Sequence, residues 1–337
     1  MANIKDIARL SGYSIGTVSR VINHKPDVNE ETRKKIEEII ARENFQPNYN
    51  AKVLKQSIVS PVEIYIKGTN NIFLESLLEK VQELMQARDE DVNVVFLDEA
   101  ADEVSAAVQS ESEKHPKGFI FLGGSMDHFA KHYTLEAPAV LITGDAGDLS
   151  LSGLSSYSTD DYKGSYEAAK LLMENGHEKI GILGGHMSVE KGIIRSARLK
   201  GAADAMEAHG ISFDPDRQFV ACRFSMKEGY EAMQRLLKKM PDLTAVFAHS
   251  DILAIGAARA LHDAGKEIPQ DVSLVGFDGI EYNDYYIPRI ATVRQNLDAM
   301  AEKGVEDLLY RMHYKKETSH EKIPFVIEPK ESIRRIR

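Results

Sequence analysis

From residue 61 onward, short β-branched and aromatic runs alternate with longer amphipathic stretches, and this alternation constrains the chain more than any other feature. A strand, a crossover helix and a second strand build a parallel sheet with both faces covered. The runs 62–66, 92–97, 118–122, 139–142, 180–183, 219–222, 245–248 and 272–277 predict strands. The stretches 73–88, 162–175, 197–208, 227–238, 251–264 and 297–312 predict helices. Gly176, Gly210 and Gly265 stand just past three of them, where a helix exit favours glycine. The alternating region is too long for one sheet of common size, so two doubly wound α/β lobes are expected.

The first 45 residues read differently. Asn3 caps a helix over 4–10, Gly12 and Tyr13 turn the chain, and Ser14 caps a second helix over 15–23. Val18, Val21 and Ile22 recur at the helical period. Asn29 caps a third helix, with Glu30 and Glu31 in its positive first turn. Two helices joined by a short Gly-containing turn, braced by a third, describe a helix-turn-helix head. Pro47 then breaks the chain, and 47–56 can form one short helix that is too short to be stable alone.

Charge follows the same division. Residues 1–60 carry ten Lys and Arg against seven Asp and Glu, a balance of +3, while the rest carries −13 of the net −10. A cationic head on an acidic body suits a head that touches phosphate and a body that does not. The 337 residues need no covalent staple, and the single Cys222 excludes a disulfide framework and a four-cysteine zinc site. Cysteine usage fits a reducing, cytoplasmic setting. Lys5, Asp6 and Arg9 break up the first residues, which do not read as a secretory signal, and no apolar run is long enough for a membrane span.

Catalytic machinery is not visible. There is no GxxxxGK[ST] loop, GxGxxG turn or HExxH pair. Gly184–Gly185–His186 reads as a turn after a strand rather than a phosphate cradle. No catalytic residue, metal or cofactor is expected. Polar residues nonetheless gather where doubly wound lobes bind ligands, at the carboxyl ends of strands. They are Asp160, Asp161, Arg195, Arg198, His249, Ser250, Asp251 and Asp278, of which Asp251 reads as a helix cap. A cleft without a catalytic set favours a binder over an enzyme of doubly wound fold.

Residues 4–23 (IKDIARLSGYSIGTVSRVIN), 28–36 (VNEETRKKI) and 47–55 (PNYNAKVLK) resemble the head of LacI/GalR-family transcription regulators. NGHEKIGILGG (175–185), RLKG (198–201), SDILAIGA (250–257), DVSLVGFDG (271–279) and YIPRIATVRQ (286–295) resemble the family's effector domain. The likeness is weakest over 60–155. It implies a helix-turn-helix head over 1–46, a hinge helix and linker over 47–58, and an effector-binding and dimerisation domain over 59–337. That domain would be a two-lobed periplasmic-binding-protein-like core. Lobe one would be about 60–158 and 291–318, and lobe two about 159–290 and 319–337. The chain ends without heptads, so a homodimer is expected rather than a tetramer.

The resemblance also implies roles. The second helix would enter the major groove, with Ile15, Gly16 and Arg20 at base-reading positions. Arg20 can bond guanine bidentately, Ile15 can only pack, and Gly16 lets the helix approach closely. Ser14, Thr17, Ser19 and Asn23 suit phosphates. In the hinge, Asn48, Ala51, Leu54 and Lys55 match DNA-facing positions, Leu54 as a minor-groove wedge. In the body, Arg198 and Asp278 would form a polar clamp on a carbohydrate effector. Phe224 would stack on the sugar ring, Phe73 would wall it from lobe one, and Asp161 and Ser250 would add hydrogen bonds. Ser250 stands where many sugar-responsive members carry Asn. The expected function is a repressor of a palindromic operator, switched by a sugar. A catabolite regulator with a phosphorylated carrier protein as corepressor is the alternative.

Overall fold

The computed structural model describes residues 4–22, 28–42, 60–68, 70–185, 189–190, 193–194, 196–314 and 316–336. The chain divides into two compact units, Met1–Val59 and Ser60–Arg337.

The described part of the first unit is three helices, Ile4–Ser11, Ile15–Ile22 and Glu30–Arg42. Ile7, Ala8, Val18, Val21, Ile36 and Ile39 form its buried core, and Tyr13, Val28 and Ile40 pack against it. Gly12 takes φ +75°, a left-handed turn that brings the second helix back across the first. The Asn29 side chain accepts the Glu31 N–H at 2.8 Å and starts the third helix.

The second unit holds fourteen strands among its described residues: β1 Val62–Lys67, β2 Val92–Leu97, β3 Phe119–Leu122, β4 Ala139–Ile142, β5 Leu154–Thr159, β6 Ile180–Gly184, β7 Val189–Glu190, β8 Ile193–Ile194, β9 Phe219–Ala221, β10 Ala245–Ala248, β11 Ser273–Asp278, β12 Ala291–Arg294, β13 His320–Ile323 and β14 Val326–Glu328. One six-stranded sheet runs β13-β5-β4-β3-β1-β2 and the other β14-β12-β11-β10-β6-β9, while β7 and β8 form a separate hairpin. All pairs in the first sheet are parallel, and in the second only β12–β14 is antiparallel. In each lobe the first strand lies between the second and the third, so strand order reverses beside β1 and beside β6. Crevices at the carboxyl ends of strands open at such reversals.

The period-2 pattern of β1 explains its burial on both sides. Val62, Ile64 and Ile66 face the helices Ile72–Gln86 and Leu297–His313. Tyr65 faces the opposite cluster with Phe119, Phe121 and Phe129. The second sheet is covered likewise. Asp161–Glu174 and Ala197–Ala208 lie on the face of Ile182, Phe247 and Phe277, and Met226–Lys239 and Asp251–Asp263 on the face of Val246 and Leu274.

The lobe borders differ from those expected. Ala291–Arg294 pairs with β11 in the second sheet, so 291–294 belongs to lobe two. Ala291, Thr292 and Val293 are fully buried there, and Val293 packs in the cluster of Val275 and Phe277. His320–Ile323 pairs with β5, so the terminal segment is not confined to lobe two. Ile323 is buried in the first-lobe core, and Ser319 N–H donates to Ser155 Oγ at 3.0 Å. The chain therefore crosses between lobes after β5, after β12 and after β13.

Candidate functional site

In the head, Ser14 Oγ accepts the Thr17 N–H at 3.1 Å and lies 2.9 Å from Thr17 Oγ1. The two hydroxyls thus secure the first turn of the second helix, where free N–H groups and the helix dipole favour anions. Gly16 is exposed, and a Cβ there would meet only Ser14 Oγ at 3.7 Å. Nothing among the described residues of the unit demands glycine at that place. Arg20 is exposed on the same helix. Ile15 and Ser19 lie within the helix, but their side chains are outside the described ones. Asn23, Asn48, Ala51, Leu54 and Lys55 lie outside the described residues, as does the expected hinge helix.

In the body, four expected site residues converge at the carboxyl edge of the second sheet. Arg198, in the first turn of its helix, pairs through Nε with Asp161 Oδ1 at 3.1 Å and through Nη1 with Asp278 Oδ1 at 3.5 Å. Nη1 also donates to the His249 carbonyl at 2.5 Å, and the guanidinium lies 3.7 Å from the centre of the Phe277 ring. A planar, forked cation held on an aromatic face is a use of arginine that lysine does not share. Ser250 Oγ donates to Asp278 Oδ2 at 2.7 Å, and Gln295 Nε2 donates to Oδ1 at 2.7 Å. Asp278 takes φ +120°, a conformation that costs a non-glycine residue energy and aims its carboxylate into the constellation.

Asp251 does not cap its helix. Ser250 is the N-cap residue, and Asp251 accepts N–H groups from Gly279 at 2.6 Å and Ile280 at 2.9 Å. It also accepts the Thr292 hydroxyl at 2.7 Å, so it braces the turn that carries Asp278. A Cβ at Gly276 would meet Asp251 Oδ1, which leaves that position to glycine. Burial pushes the carboxyls of Asp251 and Asp278 above the usual range. The Asp278 charge adds to the rise at Asp251, whereas Arg198 pulls Asp278 back down. Burial, aided by the Arg198 charge, pushes the His249 imidazole down to about 3.

The aromatic residues divide. Phe224 is half-buried beside the end of β6, where a Cβ on Gly185 would lie 3.1 Å from its ring. Phe73 is buried in the first-lobe cluster, which also takes in Ile280 from lobe two. It is a packing residue where the lobes meet rather than an open wall. Two further contacts span the lobes, both from the turn after β2. Arg223 Nη1 lies 3.3 Å from Asp98 Oδ2, and Phe224 N–H donates to Glu99 Oε2 at 3.2 Å. Both partners of the ion pair are about half exposed, a setting where such pairs contribute about 0–1 kcal/mol. The carboxyl edges of the two sheets thus face each other across a weakly latched cleft. Sequence reasoning missed Gln295, Phe277 and Thr292. Two of these sit one to three residues from an expected residue or crossing, but only the fold turns them inward.

Comparison with known proteins bears on this arrangement. Residues 3–48 match the family described as bacterial regulatory proteins, lacI family, and residues 169–333 match a periplasmic binding protein-like domain. The HTH-type transcriptional regulator MalR of Clostridium butyricum is 34% identical over 314 residues, covering 90% of this chain and 91% of that one. The lac repressor dimer bound to operator and the anti-inducer ONPF superimposes with a TM-score of 0.73 at 21% identity, covering 99% of each chain. The CelR–cellobiose complex gives 0.67 at 22% identity, covering 98% and 100%. These two likenesses establish the fold: a helix-turn-helix head with a two-lobed periplasmic-binding-protein-like core. Among the described residues, no helix is long and apolar enough to cross a membrane. With a matched head, a matched body and a relative alike over nearly the full length, this chain belongs to the lacI family of bacterial regulatory proteins.

Proposed function

We propose that the chain is a dimeric transcriptional repressor acting in the cytoplasm, whose affinity for a palindromic operator is switched by a carbohydrate held between the two lobes. Residues 1–46 act as the head, 47–58 as the hinge and 59–337 as the sensing and dimerising body. The observation that carries this reading is the Arg198–Asp278–Asp161–Ser250 constellation at the carboxyl edge of the second sheet. A fork cation and carboxylates with fixed orientations suit the paired hydroxyls of a sugar, and Phe224 offers a ring face beside them. The likeness to a regulator bound to cellobiose supports the same ligand class.

The operator reading rests on the second helix, with Arg20 and the close approach that Gly16 permits, and on Leu54 of the hinge as a minor-groove wedge. Dimerisation is supported by apolar side chains left in solvent. Tyr285 and Ile287 are 77% and 92% exposed, and Phe96 is 55% exposed on the edge strand β2. Exposed edges and apolar side chains of this kind call for cover.

The test is thermal unfolding of the full chain against mono- and disaccharides, sugar phosphates and purines. A ligand at 100 times its Kd adds about 2.7 kcal/mol, a clear rise in melting temperature. A selective sugar that loses its effect in Arg198→Ala supports the proposal. A panel silent for every sugar overturns the carbohydrate part, and pull-down of a phosphorylated carrier protein would then replace it.

A further inference from the structure

A second polar cluster lies in lobe one, apart from the Arg198 constellation. Asp102 and Glu103 open the helix Glu103–Lys114, and His128 and His132 lie on the helix Met126–His132. The two histidines are four residues apart, which puts both on one helical face. Their rings lie 6.4 Å apart, nearly parallel at 15°. His128 Nδ1 is 2.8 Å from Glu103 Oε2 and 3.8 Å from Asp102 Oδ1, and His132 Nδ1 is 2.5 Å from Asp102 Oδ2. Among the described residues, Asp102, Glu103 and His128 are the group whose donor atoms come within reach of a single ion.

We propose that Asp102, Glu103, His128 and His132 bind a divalent transition-metal ion of the zinc class. Two imidazoles with two carboxylates suit zinc, cobalt or nickel, whereas calcium and magnesium take oxygen ligands almost alone. Zinc bonds of about 2.0–2.2 Å to nitrogen and oxygen set neighbouring donors a little over about 3 Å apart. The donor atoms of Asp102, Glu103 and His128 already lie within 4.8 Å of one another, and His132, in contact with Asp102, must swing toward them to complete a four-ligand set. Glu103 is held in place independently, since its Oε1 accepts the Ser125 N–H at 2.5 Å. An outer partner of this kind orients a metal ligand.

Charge points the same way. Asp102 and Glu103 bring two negative charges, against one from Lys67, whose ammonium lies 2.6 Å from Glu103 Oε2 and 3.4 Å from His128 Nδ1. Lys67 therefore stands where an incoming cation would bind Glu103. It is the competitor the ion must displace, and its long flexible stem lets it withdraw.

The experiment titrates tag-free, chelator-stripped full chain with Co²⁺, following visible absorption, and then displaces the cobalt with Zn²⁺. The expected result is one equivalent bound, with a visible band that zinc abolishes. His128→Ala and the surface change His132→Gln each weaken binding about tenfold or more, the scale set by losing even an outer partner. Lys67→Met tightens it, a response that a purely structural role for these histidines would not produce. No band at stoichiometric cobalt overturns the proposal. A band unchanged in His128→Ala and His132→Gln, with both variants folded by circular dichroism, also overturns it by placing the ion elsewhere.

Discussion

Ser250 occupies the N-cap of the helix Asp251–Asp263, yet its hydroxyl turns away from the helix and donates to Asp278 at 2.7 Å. A serine at that position ordinarily stabilises its own helix. Here the hydrogen bond goes to a carboxylate buried across the turn. Ser250→Ala removes a donor to a buried, ionised acceptor, a loss of about 1.5–3 kcal/mol. Urea denaturation at neutral pH should show that loss. It should shrink in acid, where Asp278 is protonated and needs the donor less.

Arg198→Lys keeps the charge but loses the fork and the stacking on Phe277. The expected outcome is loss of the ligand-induced rise in melting temperature, with operator affinity in the absence of ligand unchanged. Thermal unfolding and fluorescence anisotropy on operator DNA, run side by side, check both halves.

His249 gives the fold a pH dependence of known sign. The unfolded imidazole takes up a proton near its ordinary 6.5, the folded one only near about 3. The stabilisation is therefore complete above 6.5 and is lost as pH falls below it. By about pH 5 the loss from this residue is about 2 kcal/mol. His249 Nε2 has no hydrogen-bond partner among the described residues, so His249→Phe removes the titration without orphaning a neighbour. From neutral pH to about pH 5 the parent protein should lose about 2 kcal/mol more stability than His249→Phe, as read from urea midpoints.

Gly184 lies directly against the same ring, and a Cβ there would approach His249 Nδ1 far inside contact distance. The imidazole is fully buried and cannot swing away. Gly184→Ala should cost about 1–3 kcal/mol, and His249→Ala should recover much of it in the double variant. A cycle showing simple additivity would contradict the contact.

Arg20→Ala should cost about 1–3 kcal/mol of operator binding and relax preference at one base position. Leu54→Ala should abolish discrimination between operator and random DNA, while the body still responds to its ligand. Competition anisotropy against mutated operators reads both.

The elements legible in the sequence are those whose burial follows a period. Val62–Lys67 alternates, Phe119–Leu122 is wholly apolar, and both form strands where expected. Leu154–Thr159 escaped because four of its six residues are Ser or Thr, although every one is buried. Two of those hydroxyls find partners far along the chain, Ser156 Oγ with the Ala146 N–H at 3.1 Å and Ser155 Oγ with the Ser319 N–H at 3.0 Å, whereas Thr159 Oγ1 has none among the described residues. The helix Glu103–Lys114 escaped for a similar reason, since few of its side chains are apolar. In the candidate site, Arg198 and Asp278 stand in recognisable motifs. Gln295 and Asp251 act through partners 17 and 28 residues away, a relation that only the folded chain displays.

Gln295 lies on the second crossing between the lobes, and it grips Asp278 twice. Its backbone N–H donates to the Asp278 carbonyl at 3.0 Å, and its side chain donates to the carboxylate at 2.7 Å. The strap that joins the lobes and the acid that faces the cleft are thus one mechanical part, a hinge pin forged to its own handle. A partner that neutralises or redirects that acid pulls on the joint through two bonds, with no packed core in between to absorb the movement.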